Sequence, residues 1–262
     1  MALLKSGTVI VFSLTLILAI SIYVLLFLSK TRTFKIRKHP AIDAIGEAIS
    51  RAVELGRPVV MPAQGSLYST KYAADVAAGL AVAGYITKNF VAPMKARLIV
   101  ICNAPDQLPV LEKIVQQGLE AGGAPELYVP QDTIRFISGG QMAYAAAYAG
   151  IIHREKAASA LLITMFAGEV SFMAEEGARA GCFQVAGSTN VYQIPRLIPM
   201  VDYMLVGEDM MAATAWITDA PRQVTTIIAN DILKLIGLAA TWIGAISVTL
   251  GYTAFRTLWG GL

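Results

Sequence analysis

Leu98-Ile-Val-Ile-Cys-Asn-Ala-Pro-Asp-Gln-Leu-Pro109 sets the pattern that the chain repeats on either side of it. Leu98 to Cys102 is short, wholly apolar and β-branched at its centre, as a strand buried on both faces should be. Asn103 opens a turn, and Pro105 fits the first turn of a helix predicted to run to Ala121, where Gly122-Gly123 stops it. The same alternation predicts strands at Val59 to Pro62, Leu127 to Val129, Ala160 to Met165, Phe183 to Ala186 and Tyr203 to Val206. Between them it predicts helices at Thr70 to Lys88, Gln141 to Arg154, Glu169 to Ala180 and Asp209 to Trp216. Strand and helix in strict alternation specify an α/β fold, a mostly parallel sheet with helices on both faces, Rossmann-like in plan.

Outside this region the composition changes. Thr8 to Ser29 is an uncharged apolar run, long enough as a helix to cross the roughly 30 Å hydrocarbon core of a bilayer. Lys30, Arg32, Lys35, Arg37 and Lys38 follow it directly, against Lys5 and the chain's amine on the other flank, so the basic side is expected to be cytoplasmic. A cleaved signal would be shorter and would end in small residues rather than cations. Leu235 to Phe255, between Lys234 and Arg256, reads as a second span, with Gly237, Gly244 and Gly251 forming a small-residue stripe against which another helix can pack.

The expected organisation is therefore a transmembrane anchor over residues 1–29, then a basic juxtamembrane linker and amphipathic helix over 30–57. A cytoplasmic α/β domain over 58–231 and a C-terminal transmembrane helix over 232–262 complete it. Two flanking transmembrane helices put the chain in the cell membrane with both termini on the outer side and the lipid bilayer as its first partner. A polytopic protein is the competing reading, since Ala73 to Thr87 and Gly139 to Ile152 are very apolar, but both fall short of a span and the first contains Asp75.

In 262 residues the apolar share is 56% and the charged share 15%, on the membrane side of ordinary usage. The net charge of +3 is accounted for by the basic cluster, which leaves the domain near neutral and argues against nucleic acid as a partner. Cys102 and Cys182 fall beside or inside predicted strands and read as buried free thiols. The phosphate-loop, dinucleotide and serine-hydrolase signatures are missing, so no motif names a cofactor. His39 lies in the linker and His153 at a helix end, too few histidines for an ordinary zinc site.

A ligand of an open parallel sheet sits outside the carboxyl ends of the strands. The turns expected there carry Gln64-Gly65-Ser66, Asn103, Ala167-Gly168-Glu169, Gly187-Ser188-Thr189-Asn190 and Gly207-Glu208-Asp209. Asn103, Glu169, Ser188, Thr189, Glu208 and Asp209 are the candidate ligand-binding residues; no catalytic set is complete, and no metal site is assigned. A magnesium site of Glu169, Glu208 and Asp209 would need a phosphate to complete it. Acids in a helix's first turn also have a purely structural explanation, since the helix dipole stabilises them.

The segments Ala41 to Val59, Phe166-Ala-Gly-Glu169, Ala186-Gly-Ser-Thr189 and Asp202-Tyr-Met-Leu-Val-Gly-Glu-Asp209 together resemble a family of prokaryotic membrane-anchored proteins classed as a domain of unknown function. The resemblance spans most of residues 41 to 232 and implies a shared fold and membrane tether, with no catalytic role. Relatives are expected to carry two glutamates where this chain has Glu208-Asp209, which weakens a strict metal role. Two functions follow. The favoured one is a membrane-anchored scaffold or assembly module, self-associating or part of a larger membrane complex, with Ala-rich helices such as Ala73 to Ala81 and Ala143 to Ala149 making contacts. The alternative is a membrane-tethered small-ligand enzyme or sensor using the strand-end cleft.

Overall fold

The computed structural model describes residues 6–28, 38–68, 72–137, 139–218 and 221–249. In chain order these form α1 (Ser6–Leu28), α2 (Pro40–Leu55), β1 (Val59–Ala63), α3 (Ala73–Ile86), a π-helical turn (Thr87–Val91), α4 (Ala92–Met94), β2 (Leu98–Cys102) and α5 (Leu108–Ala121). There follow β3 (Ile134–Phe136), α6 (Gln141–Arg154), β4 (Ser159–Ile163), α7 (Val170–Arg179), β5 (Phe183–Ser188), α8 (Ile194–Leu197), β6 (Tyr203–Val206), α9 (Glu208–Thr218) and α10 (Pro221–Thr249). The elements from α2 to α9 make one compact unit, and α1 with α10 makes another.

All six strands are parallel, in the order β3-β2-β1-β4-β5-β6. Winding proceeds outward from β1 through β2 to β3, returns to the other side of β1 at β4, and then proceeds outward again. Because parallel crossovers are right-handed, this reversal sends the helices of the two halves to opposite faces. Side chains alternate to match: Val59, Met61 and Ala63 of β1 join a core with α2, α3, α5 and α9, whereas Val60 joins one with α6 and α7. Strands buried on both faces carry no polar alternation, which is why each reads as a plain apolar run.

α2 is amphipathic and lies on this domain. His39 caps it, its Nδ1 accepting from the Ala41 amide at 3.2 Å, and Pro40 opens its first turn. Ala41, Ile42, Ala44, Ile45, Ala48, Ile49 and Ala52 are buried, and the Ser159 hydroxyl donates to the Ala48 carbonyl at 2.6 Å.

Four expectations are corrected. Leu127 to Val129 is not the third strand: Pro125–Leu127 forms a 3-10 turn, and β3 is Ile134–Phe136. At this sheet edge the strand is three residues with a charge in the middle, Arg135, whose guanidinium pairs with Asp132 at 2.6 Å and Glu155 at 2.9 Å. The helix after β1 starts at Ala73 and ends in a π-turn that no sequence pattern announced. Among the described residues one helix, not two, is long and apolar enough to cross a membrane by length and composition, over Gln223–Ile246. The corresponding apolar stretch in α1, Thr15–Val24, is shorter. α10 also begins well before the expected Leu235, because Asp231 and Lys234 pair one turn apart at 3.5 Å and sit within the helix. Lys30, Arg32, Lys35 and Arg37, and the part of the expected second span beyond Thr249, lie outside the described residues.

Candidate functional site

The winding reverses between β1 and β4, and the crevice beyond their carboxyl ends is where an open sheet of this kind holds a ligand. Gln64 leaves β1, Glu169 closes the loop after β4, and Gln141 is the first residue of α6. These three meet. Glu169 is 2% exposed; its Oε1 accepts from Gln64 Nε2 at 2.5 Å and from the Ala167 amide at 3.1 Å, and its Oε2 accepts from Gln141 Nε2. Among the described residues no cation takes part, and the donors to this carboxylate are neutral. Since Gln64 must turn its amide nitrogen to the carboxylate, its Oε1 points away, and that oxygen is buried without a partner.

Beside this clamp the first strand-to-helix turn is fixed by acids of the next. Gly65 has φ +107°, a conformation closed to L side chains, and a Cβ there would sit 2.7 Å from Val76. Its amide donates to Asn103 Oδ1 at 3.1 Å, so this N–H faces the chain's own side chain rather than open crevice. Asp106 Oδ2 accepts from the Ser66 hydroxyl at 2.8 Å and the Leu67 amide at 2.7 Å. Burial pushes the Asp106 carboxyl upward, but these hydrogen bonds together hold it below the ordinary carboxylate range.

On the other side of the crevice Thr189 donates to Asp75 Oδ2 at 2.7 Å, and Ser188 Oγ accepts from the Asn190 amide at 3.1 Å. Asp75 is buried in the first turn of α3, and burial raises its carboxyl above the usual value against the opposing Thr189 bond. Between the ordinary and the raised value the folded chain therefore binds more protons than the unfolded one, and stability falls as pH rises through that window. Asp75→Asn is expected to unfold at higher denaturant than the parent at neutral pH, the difference closing in acid; chemical denaturation across pH checks this.

Of the expected site residues, Asn103, Glu169, Ser188 and Thr189 line the carboxyl ends of the strands, each tied to a neighbour. Glu208 and Asp209 are exposed at the start of α9, and Asp209 lies 3.7 Å from His39 Nε2. Among the described residues no group of three His, Cys, Asp or Glu is spaced to hold a metal, so Glu169 does not combine with Glu208 and Asp209. Gln141, Asp75 and Asp106 were missed as site residues. Each sits at or just before a helix start, the one signal that pointed to them, but their partners come from other turns. Cys102 and Cys182 are free and buried, their thiols pushed up to about 11 chiefly by burial, which makes them poor nucleophiles at neutral pH.

Around this floor of internally paired acids stand exposed apolar side chains on the same turns: Tyr68 at 86%, Tyr192 at 80%, Val191, and Met142 in the first turn of α6. The crevice can position and hold.

A six-stranded parallel sheet reversing at β1 and β4 makes this a doubly wound α/β domain, joined in one chain to a helix of membrane-spanning length. A family model described as a domain of unknown function (DUF6754) matches residues 1–259, and the chain belongs to that family. Neither a curated protein nor a solved structure matches it.

Proposed function

We propose that this chain is a membrane-anchored assembly module whose contact face is the carboxyl end of its sheet. The observation that carries this reading is the apolar rim of Tyr68, Met142, Val191 and Tyr192 above acids already paired within the chain. A protein contact has large apolar anchors at its surface, aromatic ones above all, and few free charges at its centre. Anchoring rests on α10, whose Leu235, Trp242, Ile243 and Ile246 are exposed and suited to lipid, and on the basic cluster before Lys38, which favours the cytoplasmic side for the domain. The partner is a second copy of the chain or another subunit of a membrane complex.

The test is the native mass of the particle gently extracted from its own membrane, for the parent and for Met142→Asp with Tyr192→Asp. The parent is expected at more than one chain and the variant at one chain. A parent already at the mass of a single chain, or a variant of unchanged mass, overturns the reading. A second reading, a small-ligand sensor, is favoured by one atom, the unpartnered Gln64 Oε1; a small molecule retained in the same particle is its signature.

A further inference from the structure

On another part of the domain, α3, α5 and α9 flank a shallow, open groove of about 350 Å³ lined by Leu80, Gly84, Tyr85, Ile114 and Ile217. Its lip carries Lys88 and Asn89, both exposed and both on the π-helical turn Thr87–Val91, a distortion of the kind that recurs at functional sites. Among the described residues no carboxylate pairs with Lys88. Tyr85 packs edge-on against Trp216, centroids 6.3 Å apart, and Lys38 Nζ lies 5.0 Å over the Trp216 ring. Tyr, Trp and Lys around an apolar groove are the residue types that gather at the bilayer interface.

The position of these residues in the chain supplies the occupant. Lys38 is where the described chain enters the domain from the basic cluster, and Thr218, itself in the groove wall, is its last described residue before α10. Both connections to the apolar segments thus meet at one corner of the domain, beside the groove. Two residues of sequence separate Thr218 from α10, so if α10 is in the bilayer, as proposed above, the chain itself tethers the domain to lipid.

We infer that this groove seats an anionic phospholipid, an acyl chain lying along Leu80, Gly84, Ile114 and Ile217 and the phosphate meeting Lys88. This rests on the anchoring reading but not on the assembly reading. The full chain carrying Asn89→Cys, labelled with an environment-sensitive dye, is reconstituted into nanodiscs of phosphatidylcholine alone or with phosphatidylglycerol. Cys102 and Cys182 are buried, so the introduced thiol takes the label.

The dye is expected to shift to the blue when phosphatidylglycerol is present, and a label on Glu175→Cys, in α7 on the opposite face of the sheet, is expected not to shift. Lys88→Gln is expected to weaken the response about fivefold, the contribution of one cation near an anionic surface, and Lys88→Arg to retain it. An emission independent of lipid composition in a chain that co-purifies with the discs overturns the lipid site and leaves the anchor standing. A shift reproduced by inorganic phosphate in phosphatidylcholine discs overturns it in favour of a plain anion site. A chain that does not co-purify with discs overturns the anchor and the lipid site together.

Discussion

Gly79→Val is expected to destabilise the domain by about 3 kcal/mol, because it overpacks a contact made by backbone. Gly79 lies in α3 where that helix touches β4: a Cβ there would sit 2.8 Å from the Ile163 carbonyl oxygen and 3.0 Å from Thr164. Neither can give way. Ile163 is the last residue of a strand paired to β5 on one side, and the Thr164 hydroxyl donates to the Gln64 carbonyl at 3.0 Å. A valine would lift α3 off the sheet at the very place where Asp75, one turn earlier, reaches Thr189. Gly150→Ala is the matched control, since the nearest atom to its added Cβ is the end of the Arg154 side chain at 3.8 Å. That change is expected to stabilise α6 by about 0.5 to 1 kcal/mol through the lost backbone freedom of glycine. Urea denaturation of the three chains in the same detergent measures both; equal midpoints for Gly79→Val and the parent would show that α3 does not approach β4 so closely.

The alternation of elements was legible because most strands are short, largely apolar runs set between turn residues: Leu98–Cys102, inside the sheet, and Tyr203–Val206, at its edge, have the bounds the pattern assigns them. β3 was not, because an edge strand of three residues centred on Arg135 carries no apolar signature, while Leu127 to Val129 nearby has one and no place in the sheet. Strand order was also out of reach. Nothing local says that β1 lies beside β4 rather than at an edge, yet that neighbourhood creates the crevice. The turns that form the site were therefore identified, and their pairings were not. Thr189 reaches Asp75 and Glu169 reaches Gln64 across more than 100 positions of sequence. Asp209 instead falls near His39, because α9 packs alongside α3 on the α2 face of the sheet.

Glu169→Leu should be the most damaging change at the crevice, costing about 3 kcal/mol, and the size follows from what it leaves behind rather than from what it removes. Leucine nearly fills the volume of the glutamate, so the cavity is small. The buried amide is another matter. Gln64, only 5% exposed, loses the partner of its Nε2 while its Oε1 already has none, whereas the exposed Gln141 can turn to water. A buried donor stranded in this way costs about 1 to 3 kcal/mol, more than the net gain from the bond it once made. The asymmetry gives a sharper test than the single variant. Gln64→Leu added to Glu169→Leu removes the stranded amide together with its unpaired oxygen, so the double variant is expected to recover about 1 kcal/mol or more of the single loss. Additive losses instead would mean that Gln64 and Glu169 do not form a coupled pair. Were Glu169→Leu itself no less stable than the parent, the clamp would not be what holds the loop after β4 against β1, and the floor of paired acids on which the assembly reading depends would be gone.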